Sequence, residues 1–171
     1  MITRNWVKHI GPALSILASF GAIAVLLRVQ GRLWLCACGR IQFWSGDICS
    51  SDNSQHFLDP YSFTHVLHGF AFFWLILWLA RRVQPGWQLA IAVGAEAAWE
   101  VFENSSFVID RYRTATAALG YTGDTVVNSL GDLACAMIGF LIVRQVGIRW
   151  SLILLWQTSL LLHRSTVPAL R

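Results

Sequence analysis

Apolar blocks close to bilayer length dominate this chain and limit what it can fold into. A helix rises ~1.5 Å per residue, so about 20 apolar residues cross a hydrocarbon core of ~30 Å. Blocks of this kind run from about Ile10 to Leu27, Tyr61 to Ala80, Trp87 to Phe107 and Thr125 to Val143. A fifth, Ile148 to Leu162, is short and either spans with tilt or lies partly in the interface. Only 13% of the 171 residues are charged, half of the ~25% usual in soluble domains, while 56% are hydrophobic. The expected fold is therefore an all-α membrane protein: one domain over residues 1–171, built as a bundle of four to five transmembrane helices with a polar cavity near one membrane face.

The remaining chain fits that frame. Residues 28–60 hold Gly31, Gly39, Gly46, Ser50-Ser51-Asp52-Asn53-Ser54 and Asp59-Pro60, a loop composition. Nine Trp and three Tyr suit an interfacial aromatic belt, alongside ordinary core filling. Arg4 and Lys8 precede the first block, which is longer than the ~7–15 residue core of a cleaved signal. It reads as a retained anchor, with Ala37 the one nearby small residue that resembles a cleavage position. The net charge of +4 is spread out with no basic run, so no nucleic-acid partner is expected; membrane lipids are, and a homo-oligomer is compatible. The Arg/Lys count is six on one side and seven on the other if the N-terminus is inside. The short Arg81-Arg82 loop and the leading Arg4 and Lys8 favour a cytoplasmic N-terminus, which makes the polar face periplasmic.

Because successive helices alternate in direction, the end of block one, the start of two, the end of three and the start of four share one face. The polar residues lie there. His65 and His68 stand three apart, on one helix stripe. Glu96, Glu100 and Glu103 form a second stripe, and Glu96 lies ~12 Å from the polar end. Asp124, Asn128 and Asp132 form a third. An ionisable residue facing lipid costs about 2.5–3.5 kcal/mol on insertion scales, so these groups face the interior, pair, or reach water.

Such a set admits several chemistries. His65, His68, Glu100, Glu103 and Asp124 are the ligand types of a divalent metal such as Zn, Mn or non-haem Fe. Glu96, Glu100, Glu103, Asp124 and Asp132 are candidate catalytic acids and bases, because carboxylates this close share protons. Intramembrane Glu/His chains also occur in proton and cation paths. Arg111 and Arg113, with Asn128, are candidate substrate-binding residues, since Arg grips anionic headgroups bidentately. Plainer roles compete with each: helix–helix hydrogen bonds for the His pair, an interfacial position for Glu103, salt bridges for the two Arg, and capping for Asp124 and Asn128. Cys36, Cys38 and Cys49 lie in the first loop; Cys-x-Cys plus a third Cys lacks an obvious fourth zinc ligand, and a disulfide involving Cys49 is the alternative if the loop is outside. Cys135 reads as a small buried hydrophobe.

Three sequence blocks carry a resemblance. They are Trp44-Ser45-Gly46-Asp47 through Asp59-Pro60-Tyr61-Ser62-Phe63-Thr64-His65-Val66-Leu67-His68-Gly69-Phe70, Trp99-Glu100-Val101-Phe102-Glu103-Asn104-Ser105 with Asp110-Arg111-Tyr112-Arg113, and Tyr121-Thr122-Gly123-Asp124-Thr125-Val126-Val127-Asn128-Ser129. Over about Trp44 to Gly139 the chain resembles uncharacterised protein family 0314, bacterial multi-pass membrane proteins. That resemblance implies the bacterial plasma (inner) membrane and implies no activity. His68, Glu100, Arg111 and Asp124-x3-Asn128-x2-Gly131 also resemble a pattern of VanZ-like membrane proteins, with Glu103 and Asp132 departing from it.

The sequence thus supports three functional classes: a membrane-embedded enzyme, metal-dependent or not, acting on a lipid or envelope precursor; a proton- or cation-coupled carrier; and a non-catalytic assembly or binding protein.

Overall fold

The computed structural model describes residues 3–48, 50–115 and 121–166, and these are helical apart from their loops. The helices are α1 (Thr3–Val29), α2 (Ser62–Leu79), α3 (Pro85–Glu103), α4 (Ser106–Ala115) and α5 (Val126–Thr166). Gly147, with φ 77° and ψ 171°, is not helical, so the span labelled α5 is two helices that meet there, in keeping with the separate fourth and fifth blocks of the sequence. Among the described residues, three helices are long and apolar enough to cross a membrane: Ile10–Val29, Ser62–Leu79 and Val126–Gly147. α3 is not one of them, in keeping with its three glutamates. It also ends at Glu103, short of the expected Phe107. The Asn104 N–H closes its last turn on the Glu100 carbonyl, and the chain restarts as α4.

Close backbone crossing joins α2 to α5. A side-chain carbon at Gly69 would collide with the Ala136 carbonyl and the Phe140 amide, and one at Gly139 with the Val66 carbonyl. The two glycines therefore let the helix axes approach, the arrangement that stabilises helix pairs where lipid supplies no hydrophobic drive. Ile23 and Leu27 of α1, Val93 and Ala97 of α3, and Val126 and Leu133 of α5 form a buried apolar core. By contrast, Leu14, Leu17 and Val25 of α1 are largely exposed, as a lipid-facing stripe would be.

The helix ends meet as alternation requires. Gln30 at the end of α1 donates to the Val101 carbonyl near the end of α3, at 3.0 Å. The Val126 amide opening α5 bonds the Leu33 carbonyl at 2.8 Å, and the Thr125 amide bonds the Ser54 carbonyl at 3.1 Å. The 28–60 loop, stitched by a Trp44–Leu58 bridge, is thus laid across the start of α5. Gly131 lies against the Phe57 carbonyl with no room for a side chain, which gives this glycine a packing role.

Candidate functional site

Helix periodicity turns His65 and His68 of α2 toward α3, where Glu96 and Glu100 point back. Both histidine Nδ1 atoms reach one oxygen: His65 stands 2.5 Å and His68 3.1 Å from Glu96 Oε1. His65 Nδ1 is also 3.2 Å from Glu100 Oε1, and its Nε2 is 3.8 Å from Asp132 Oδ2 on α5. Glu96 and Glu100 are 0% exposed and Asp132 3%. Three carboxylates from two helices therefore surround one imidazole inside the protein. If all were ionised, a single imidazolium would leave excess negative charge in a low-dielectric interior, so protons or a cation must balance it. Consistent with this, neither Glu100 oxygen nor Asp132 Oδ1 has a hydrogen-bond partner.

Two sets of ligand atoms in this region lie within 4.8 Å of one another: His65, His68 and Glu96, and His65, Glu100 and Glu103. The metal candidates therefore fall into two sets that share His65, one with His68 and Glu96 and the other with Glu100 and Glu103. Asp124 is engaged elsewhere. Its carboxylate accepts hydrogen bonds from Asn104 Nδ2 at 2.8 Å and the Tyr121 hydroxyl at 2.7 Å, and its amide donates to Asn104 Oδ1 at 2.7 Å. Burial pushes the Asp124 carboxyl above its ordinary range, against those two hydrogen bonds, and pushes the Tyr121 phenol up as well. Asn104 and Asp124, twenty residues apart, lock the end of α3 to the start of α5.

Asn128 has a tethering role: its amide donates to the His56 carbonyl at 2.8 Å and to Asp59 Oδ2 at 3.4 Å. Asp59 in turn accepts from the amides of Ser54, Tyr61 and Ser62, which fixes the start of α2 one turn before His65. Arg111 is exposed on α4; the Arg113 side chain lies outside the described residues, as does Cys49. Cys36 pairs with Cys38, whereas the expected loop disulfide involved Cys49. Cys135 is half-buried and free.

One feature of the site has no sequence signal of its own. His68 also lines an apolar groove of about 470 Å³ between α2 and α3, with Ala71, Phe72, Ala95, Trp99 and Phe102. Small residues at 71, 95 and 98 open it, and the Trp99 ring packs edge-on against His68 at 5.8 Å. One side of His68 thus contacts Glu96 while another faces an apolar surface open to the outside of the helix pair.

Comparison with known proteins agrees with the resemblance in the sequence. Residues 27–166 match the family described as "Protein of unknown function (DUF2585)". The chain belongs to this family. It is 46% identical to a UPF0314 protein of Brucella anthropi, over 78% of this chain and 68% of that one. It is 42% identical to a UPF0314 protein of Sphingopyxis alaskensis over 81% and 70%, and 44% identical to one of Rhizobium meliloti over 80% and 71%. No solved structure matches it. The matched span includes the His65, Glu96 and Asp132 cluster, the 28–60 loop and the groove.

Proposed function

We propose that this protein is a membrane-embedded enzyme of the bacterial plasma membrane that acts on the polar end of a lipid or lipid-linked envelope precursor. In this reading the chain is multi-pass, α3 completes a bundle with the three apolar helices, the N-terminus is cytoplasmic and the cluster faces the periplasm. The observation that carries the reading is the double role of His68, which joins the carboxylate cluster to the apolar groove. An acyl or prenyl chain lying in the groove brings its polar end to His68. His65, His68 and Glu96 would hold a divalent metal, which would supply a Lewis acid and an activated water there. Glu100, whose oxygens accept no hydrogen bond, would take up the proton.

The test is element analysis of the purified protein together with mass spectrometry of a bacterial lipid extract incubated with it. Stoichiometric metal and a changed lipid species are expected for the wild type, and neither for His65→Ala/His68→Ala. Folded, metal-free protein that leaves every lipid unchanged rejects the reading.

A second reading has its own support. Glu96, His65, Glu100 and Asp132 form a run of ionisable groups across α2, α3 and α5, the arrangement of a proton path. It predicts proton flux in proteoliposomes that Glu96→Gln abolishes; equal flux in wild type and variant rejects it.

A further inference from the structure

The loop above the membrane cluster holds a separate set of ligand groups. Cys36, Cys38, Asp52 and His56 each offer one donor atom, and all four atoms lie within 4.8 Å of one another. His56 is 2% exposed, and its Nε2 is buried with no hydrogen-bond partner. The nearest acidic oxygen, Asp52 Oδ2, is 3.8 Å away, too far to satisfy it. A buried ring nitrogen left unpartnered is unusual in a folded protein and calls for an explanation. The backbone that carries the ring is also held in place: the His56 carbonyl is tied to Asn128, and the neighbouring Ser54 and Gln55 carbonyls to Thr125. Asp52 is braced by Arg40 at 2.6 Å, and the Cys38 amide donates to Cys36 Sγ at 3.1 Å, a bond that supports a thiolate.

We propose that Cys36, Cys38, Asp52 and His56 form a zinc site, open to metal when the Cys36–Cys38 disulfide is reduced and closed to it when the disulfide is present. Two thiolates, an imidazole and a carboxylate make a four-coordinate set of the kind zinc takes, and the sulfur donors disfavour magnesium and calcium. The exchange balances: a small dithiol gives two electrons and two protons to the disulfide and closes to its own disulfide. The two protein thiols then release two protons as the divalent ion binds. The loop carries this site over the start of α5, so it is distinct from the His65/Glu96 cluster and does not depend on the enzymatic reading.

Cobalt titration of the full chain in detergent tests the proposal, before and after dithiol reduction and anaerobic desalting. Cobalt–thiolate charge transfer gives an ultraviolet band that the membrane cluster, having no cysteine among its ligands, cannot produce. The band is expected only in reduced protein, displaced by one equivalent of zinc, absent in C36S/C38S, and accompanied by a zinc affinity at least tenfold weaker in H56A. Circular dichroism checks that each variant keeps its helices. No band in reduced protein, an equal band in oxidised protein or in C36S/C38S, or unchanged zinc affinity in folded H56A overturns it.

Discussion

His65 and His68, one turn apart on α2, direct their Nδ1 atoms at the same oxygen of Glu96, at 2.5 and 3.1 Å. Two rings converging on one carboxylate oxygen make Glu96 the centre of the cluster. Glu96→Gln keeps the shape and removes the charge. The expected outcome is loss of bound metal by at least ~100-fold in affinity and loss of lipid turnover, since ligands and their partners set affinity on that scale. Because the buried His65 ring and the half-buried His68 ring lose their ionised acceptor, a stability cost of about 1–3 kcal/mol accompanies it. Element analysis and a melting curve on the same sample check both.

The α2–α5 crossing makes a prediction about stability alone. At Gly69 an added methyl meets the backbone of Ala136 and Phe140, whereas at Gly21, on the exposed side of α1, it meets nothing within 4 Å. Gly69→Ala is expected to cost about 1–3 kcal/mol by overpacking. Gly21→Ala is expected to be neutral or stabilising by up to about 1 kcal/mol, because alanine suits a helix interior better than glycine. Thermal unfolding in one detergent, run on both variants, tests the contrast; equal melting temperatures would remove the close crossing.

Asp124 gives a pH dependence whose sign follows from burial. Its folded-state carboxyl lies above the ordinary value of 3.8, chiefly through desolvation. As pH rises past 3.8 the unfolded chain releases its proton first, so the folded state binds more protons and loses stability until its own carboxyl ionises. Stability contributed by this group is therefore greatest in acid and falls toward neutral pH. Asp124→Asn removes the dependence, so the decline in melting temperature from pH 4 to pH 7 should be smaller in the variant than in the wild type. An equal or steeper decline contradicts a raised carboxyl at this position.

The helical stripes were legible in the sequence because they are local. Spacings of three and four put His65 with His68 and Glu96 with Glu100, and alternation of helix direction brought those stripes to one face. Partnerships across long separations carry no such period. Asn104 with Asp124, and Asn128 with the His56 carbonyl, depend on how the 28–60 loop lies over α5, which backbone hydrogen bonds to Leu33 and Ser54 decide. For the same reason Asp124 read as a metal ligand at the level of its stripe, although its carboxylate is taken up by Asn104 and Tyr121. His56 and the Cys36–Cys38 pair belong to that loop, and neither was legible as a cluster.

The groove between α2 and α3 carried no sequence signal of its own, and under the proposed function it separates lipid recognition from chemistry. Ala98 lies on its wall, exposed, one turn from the end of α3 and on a different side from the buried Glu96 and Glu100. Ala98→Trp fills the groove without displacing a core residue. The expected outcome is that bound metal and melting temperature stay near wild type while turnover of long-chain lipid falls at least ~10-fold, and a short-chain analogue with the same polar end loses less. Paired lipid assays on long and short substrates, with element analysis of the same preparations, make the measurement. Unchanged long-chain turnover would place the substrate chain elsewhere, and loss of metal would mean that the groove and the cluster are one structural unit.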